Sequence, residues 1–213
     1  MKSILVIGAG KFGHYFCRCL HEQDCEIMIV DEDEEKLSDM LSYVSSAKVG
    51  DCTRRDVIES LGVDDFDDAV VCIPEDFQNS LQIVDLLQEC GAKKITAVAS
   101  TEIQAKFLSK SGAMDVVFPD KDRAERLAVA ISDDAIFDFL KLSNDYAIYE
   151  IIPPKRWIGQ SVVSVDVRRK YNINIIAVKT PNGTLLLPTP DYKFNQSDHL
   201  FIFGKAAAVE KIT

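Results

Sequence analysis

Between Lys2 and Asp31 an apolar run, Ile4-Leu5-Val6-Ile7, meets a glycine turn, Gly8-Ala9-Gly10-Lys11-Phe12-Gly13. After a helix-compatible segment, a second apolar run, Ile27-Met28-Ile29-Val30, closes on Asp31. A strand feeding a helix through so tight a turn needs glycine at three places: where the backbone bends, where it approaches a ligand, and where helix packs on strand. Gly8, Gly10 and Gly13 have that spacing. Amides at the helix start would face phosphate, whose charge the helix dipole favours. Asp31, ending the second strand, is placed to accept both ribose hydroxyls and to repel a 2′-phosphate, which disfavours NADPH. A short structural turn would account for the glycines alone. The flanking strands and the terminal acid make the pattern a nucleotide site.

The rest of the first half repeats the alternation. Strands are expected near Ala47-Lys48-Val49, Asp68 to Ile73, Lys94 to Ala99 and Met114 to Phe118, and helices over Asp33 to Tyr43, Arg54 to Leu61, Glu75 to Cys90 and Glu102 to Lys110. The first helix is expected to bury Phe12, Phe16, Cys19 and Leu20. Strand-helix alternation implies an α/β fold with a Rossmann-like, doubly wound parallel sheet. Ligands of such sheets lie beyond the C-terminal strand ends, so Asp51 and the amides around Cys52 fall beside the base; helix capping by Asp51 or Thr53 is the alternative.

After Pro119 the pattern changes. A helix with Leu127, Val129, Ala130 and Ile131 carries more apolar surface than a terminal helix needs, and Ala135 to Leu142 reads as a second helix, apolar on most sides. Both point to an interface or a crossover. Tyr146 to Ile152 alternates as a strand, Ser164 to Lys170 is helical, Asn182-Gly183 marks a hairpin, and His199 to Phe203 is a last strand. The expected division is a nucleotide-binding domain over 1–134, a crossover helix over 135–144, and a small α+β C-terminal module over 145–213. So small a module is marginal alone, which favours dimerisation.

A net charge of −10 without a Lys/Arg cluster argues against nucleic acid. No apolar run approaches the roughly 18 residues of a membrane span, and Met1 stands almost directly before the first strand, so a cytoplasmic location is expected. The six cysteines show neither zinc-site spacing nor a disulfide framework, and are expected to be free and buried.

The ordered set Val6 to Gly13, Ile29-Val30-Asp31, Gly50-Asp51-Cys52-Thr53, Phe107 to Ala113, Phe118 to Asp122, Val167 to Tyr171 and Ile173 to Val178 resembles the RCK (regulator of potassium conductance) family. The likeness is to the KtrA/TrkA-type cytoplasmic subunits of bacterial potassium uptake systems, and it covers the whole chain. It implies a homodimer assembling to an octameric ring, docked on a membrane potassium channel or transporter subunit (KtrB/TrkH-like) at the inner face of the cell membrane. ATP/ADP or NAD(H) would sit in each N-terminal site. Gly8, Gly10 and Gly13 would take phosphate, Asp31 the ribose, and Asp51 with Cys52 the adenine, with Phe12, Glu32 and Ile73 in the same site. Lys11 stands where ATP-responsive relatives often carry an Arg directed at a neighbouring γ-phosphate, and Ala99 where some carry Lys. Asp120 matches an acidic position that helps hold a divalent or sodium cation at the dimer interface. Val162, Val163, Arg168, Asn174, Ile176 and Pro188 match a cyclic di-AMP site; a plain dimer core is the other reading.

Three functions stand at this point: a gating subunit without catalysis, an NAD-dependent oxidoreductase, and a stand-alone nucleotide sensor with a soluble partner. An oxidoreductase needs a proton donor by the nicotinamide, and His14, His21 and His199 do not supply one convincingly.

Overall fold

Six short strands, each too brief to stand alone, close into one parallel sheet in the computed structural model, which describes residues 1–212. The strands are β1 (Ser3–Ile7), β2 (Glu26–Asp31), β3 (Ser46–Val49), β4 (Asp68–Val71), β5 (Ile95–Val98) and β6 (Asp115–Val117), in spatial order β3-β2-β1-β4-β5-β6. The order reverses between β1 and β4, so a crevice opens beyond their C-terminal ends. Helices α1 (Lys11–His21), α2 (Glu34–Ser38), α3 (Arg55–Glu59), α4 (Phe77–Glu89) and α5 (Glu102–Lys110) connect them. Two apolar clusters result. Leu5, Ile7, Val71, Ile83 and Leu87 belong to one; Ile4, Val6, Ile27, Ile29 and Met40 belong to the other. Alternate residues of β1 thus point to opposite faces, as a strand buried on both sides requires.

The expected Rossmann-like sheet is the fold observed; details differ. α2 stops at Ser38 instead of reaching Tyr43. Ser38, Asp39 and Ser42 are weak helix formers, and three-residue turn bonds from Met40 to Leu37 and from Tyr43 to Met40 replace the helix while burying Leu37 and Met40. On α1 the buried cysteine is Cys17, whereas Cys19 is exposed, because Cys17 shares with Gly13 the side that faces the sheet.

The chain divides into compact units, Met1–Lys121 and Asp122 onward, with α6 (Pro119–Ser132) spanning the boundary in sequence. α6 leaves Leu127 and Ile131 exposed. The second unit is built on an antiparallel sheet of order β10-β9-β11-β8-β7, from β7 (Ile136–Lys141), β8 (Tyr146–Ile151), β9 (Asn174–Lys179), β10 (Leu185–Leu186) and β11 (His199–Lys205). Three short helices, α7 (Val162–Val165), α8 (Val167–Tyr171) and α9 (Ala206–Val209), complete it. Trp157, Phe194, Ile151 and Ile202 are buried in its core.

Two corrections fall here. The helix expected within 135–144 is strand β7, paired along β8. Its apolar run is short and rich in Ile and Phe, which suits a strand; Ile136 is buried while Phe137 and Leu140 are exposed. The helix expected over Ser164 to Lys170 is broken at Asp166, whose φ of 50° is left-handed. Val165 and Val167 are both buried yet lie two residues apart, a spacing one helical face cannot serve, so the chain turns between them.

Candidate functional site

At the crevice between β1 and β4 the chain forms a cleft of about 170 Å³, lined by Gly8, Gly10, Asp31, Glu32, Asp51, Cys52 and Ile73 among others. These seven were all expected from sequence. The turn is tight for steric reasons. Gly8 has φ of +104°, and a Cβ there would meet the Cys72 carbonyl oxygen at 2.8 Å. A Cβ on Gly13 would lie 2.1 Å from the Gly8 carbonyl oxygen, so only glycine lets α1 settle on the loop. At Gly10 a Cβ would meet nothing within 4 Å, which leaves space on the cleft side for a ligand.

Gly10 is also the N-cap of α1, without a side-chain cap, and the helix has no acid in its first turn. Its leading amides are therefore neither capped nor neutralised by their own chain, the condition under which a helix N-terminus attracts an anion.

Asp31 is buried, with one bond to each oxygen: the Ala9 amide donates to Oδ2 (2.7 Å) and the Asp33 amide to Oδ1 (2.9 Å). It is not a free acceptor waiting for two ribose hydroxyls. It ties the glycine loop to the start of α2 and presents only its remaining lone pairs to the cleft. Asp51 likewise holds its own turn, with Oδ1 accepting from the Thr53 hydroxyl (2.6 Å) and amide (2.9 Å). Those bonds, the hydroxyl's first, keep its carboxyl below the usual range. The capping role and a place in the cleft therefore coexist.

Cys52 and Cys72 also line the cleft. Burial, reinforced by Asp51 and Asp31, pushes the Cys52 thiol up to about 12, and burial raises Cys72 as well. Both are packing groups rather than nucleophiles. None of the three histidines lines the cleft. His14 and His21 lie edge-on to Tyr43, and His199 Nδ1 meets Glu150 Oε1 at 2.8 Å in the second unit.

The structure keeps other expected residues out of the cleft lining. Phe12 stacks on Phe16 at 5.7 Å and packs into the core. Lys11 is exposed at the first position of α1, and Gly13 acts through packing alone. Asp120 is exposed near the start of α6, and no group of three or more His, Cys, Asp or Glu among the described residues is arranged to hold a metal ion.

In the second unit, Val162 and Val163 open α7, Arg168 lies on α8, and Asn174 and Ile176 lie on β9, with Pro188 in the loop after β10. Val163, Arg168, Asn174 and Ile176 are exposed. Ile176 is the extra residue of a bulge, since Ile175 pairs with Ile202 and Ala177 with Phe201. No side-chain hydrogen bond joins the six among the described residues.

Sequence reasoning missed Lys36, Glu75, Asp76 and Asn79, which line the same cleft. Asp76 caps α4, accepting from the Asn79 amide at 3.1 Å. The signal for Asp76 was present as an N-cap residue ahead of a long helix; for Lys36 it was a position one helical turn beyond Asp33.

With this geometry in place, comparison with known proteins is decisive. Residues 4–119 match the TrkA-N domain and residues 146–213 the TrkA-C domain. The chain belongs to this family. It is 34% identical over 210 residues to Ktr system potassium uptake protein C of Bacillus subtilis (strain 168), covering 99% of this chain and 95% of that one. It is 30% identical over 210 residues to Ktr system potassium uptake protein A of the same strain, with the same coverage. Among solved structures, the GsuK channel bound to NAD superposes with a TM-score of 0.72 at 16% identity, over 99% of this chain and 39% of that channel. That likeness establishes the shared fold, and the chain spans well under half the channel's length.

Proposed function

We propose that this chain is a nucleotide-binding regulatory subunit of a potassium transporter or channel, coupling ATP/ADP or NAD(H) binding to the shape of a ring docked on a membrane pore subunit. The observation that carries the reading is similarity along nearly the whole length to two Ktr potassium uptake proteins. The cleft supports it: uncapped α1 amides for phosphate, remaining Asp31 lone pairs for the ribose, and Asp51 with Cys52 beside the base, flanked by Glu32 and Ile73.

No catalytic group is required. A ligand that binds two ring shapes equally shifts nothing; one that prefers a shape by about 10⁴-fold takes the population from 1:99 to 99:1. The assembly we envisage is dimeric units in an octameric ring on a KtrB/TrkH-like partner at the inner membrane face, with Lys11 reaching a neighbouring site. Cyclic di-AMP between two C-terminal modules, at Val162, Val163, Arg168, Asn174, Ile176 and Pro188, belongs to the same proposal. So does a cation near Asp120 supplied jointly by two copies; no step is routed through it.

The test is potassium flux through vesicles carrying a pore subunit of this type together with the purified chain. Adding ATP, ADP or NADH should change flux at least several-fold without nucleotide consumption. Flux that ignores every nucleotide, or steady turnover of any of them, would contradict the proposal.

A further inference from the structure

Among the described residues that line the cleft, Lys36 on α2 is the only cation, against the carboxylates of Asp31, Glu32, Asp51, Glu75 and Asp76. Its Nζ stands 3.7 Å from Asp31 Oδ1 and 3.8 Å from Asp33 Oδ2, beyond hydrogen-bond range, and the side chain is 49% exposed. It is a loosely held ammonium on a flexible stem. Asp31, in contrast, is fixed by the Ala9 and Asp33 amides. In a strand, glycine loop and helix of this type, the ribose meets the acid that ends the second strand. Here that acid has a half-exposed cation beside it.

We propose that Lys36 is a specificity-determining residue that lets the cleft accept an adenine ligand carrying a phosphate on the ribose 2′ position, alongside the unphosphorylated form. The inference rests on the nucleotide-binding reading above. A lone carboxylate at this place repels a 2′-phosphate. A cation within about 4 Å of that carboxylate attracts the same phosphate with energy of the same size, since both terms scale as inverse distance in one dielectric. Asp33 Oδ2, 3.8 Å from the same Nζ, shares that cation, so Lys36 offsets part of the repulsion rather than cancelling it. Glu32, exposed at the same rim, retains a residual preference for the unphosphorylated ribose. Lys supplies a point charge without the two-pronged grip of Arg, so it confers tolerance of the phosphate rather than preference for it.

NAD+ and NADP+ differ only in this phosphate, and calorimetric titration of the full chain with each reads the effect directly. The wild-type chain should bind both, NAD+ more tightly. Lys36→Gln should weaken NADP+ about tenfold while leaving NAD+ within about twofold, and Lys36→Arg should retain NADP+ binding. Three results overturn the inference: NAD+ binding without saturable NADP+ binding in the wild-type chain, equal weakening of both ligands in Lys36→Gln, or no change in either. Where ADP binds and NAD+ does not, AMP against adenosine 2′,5′-bisphosphate makes the same comparison with the same expected and opposing results. If no adenine ligand binds the wild-type chain, the nucleotide reading itself falls.

Discussion

Replacing Asp31 with Ala removes a ligand contact and also a structural tie. The carboxylate takes charge-assisted bonds from the Ala9 and Asp33 amides, each worth about 1.5–3 kcal/mol in a protein. Ala9 is buried, so its amide would be left without a partner, whereas the Asp33 amide lies nearer solvent and recovers part of its loss through water. The half-exposed Lys36 adds little. The expected loss is therefore about 3–4 kcal/mol, a large fraction of the roughly 5–15 kcal/mol that holds a domain folded. With a urea slope near 2 kcal/mol/M, the unfolding midpoint of the first unit should drop by about 1.5–2 M. Asp31→Asn keeps one acceptor and should lose about half as much. Circular dichroism in urea, paired with calorimetric nucleotide titration, reads both consequences. A midpoint unchanged in Asp31→Ala, with affinity lost, would show that Asp31 serves only the ligand and that the tie is energetically idle.

Gly13→Ala should also be damaging, since a Cβ 2.1 Å from the Gly8 carbonyl oxygen forces α1 off the loop; about 1–3 kcal/mol in stability and most of the nucleotide affinity should be lost, measured by the same two assays. Brief alkylation near pH 8 followed by mass spectrometry should mark Cys19 first and spare Cys17, Cys52 and Cys72; equal labelling of Cys52 and Cys19 would refute the buried-thiol account. Arg126 holds the Asp138 carboxyl below its usual range, chiefly through its hydrogen bonds. Such a depressed group contributes stability above the ordinary Asp value of about 3.9 and loses it as pH falls through the folded value. The stability gap between wild type and Asp138→Asn, from thermal unfolding, should thus be flat from pH 5 to 8 and close below about pH 4.

What the sequence made legible follows what local patterns encode. The glycine spacing, the buried runs of β1, β2, β4 and β5, and Asp31 at a strand end each carry a local signal, and the cleft forms where they predicted it. The failures have physical causes. Ile136 to Leu142 was ambiguous because a short apolar run fits helix or strand until its pairing partner, β8, is known. Asp166 turns left-handed for the sake of burying Val165 and Val167, a tertiary demand no local propensity reports. Phe12 sits inside the motif yet packs on Phe16 in the core, because successive positions on α1 rotate by about 100°. Lys36 lies in a charged helical turn of the kind any surface helix carries, and only the fold brings it to the cleft.

The central claim, that the cleft binds an adenine nucleotide and signals its presence without chemistry, is tested most directly by one titration. Purified full-length chain is mixed with ATP, ADP and NADH while X-ray scattering follows the size of the assembly, and chromatography of the same samples follows the nucleotide. The account predicts a saturable change of shape with the nucleotide recovered intact. An assembly that ignores every nucleotide, or one that consumes them, contradicts it.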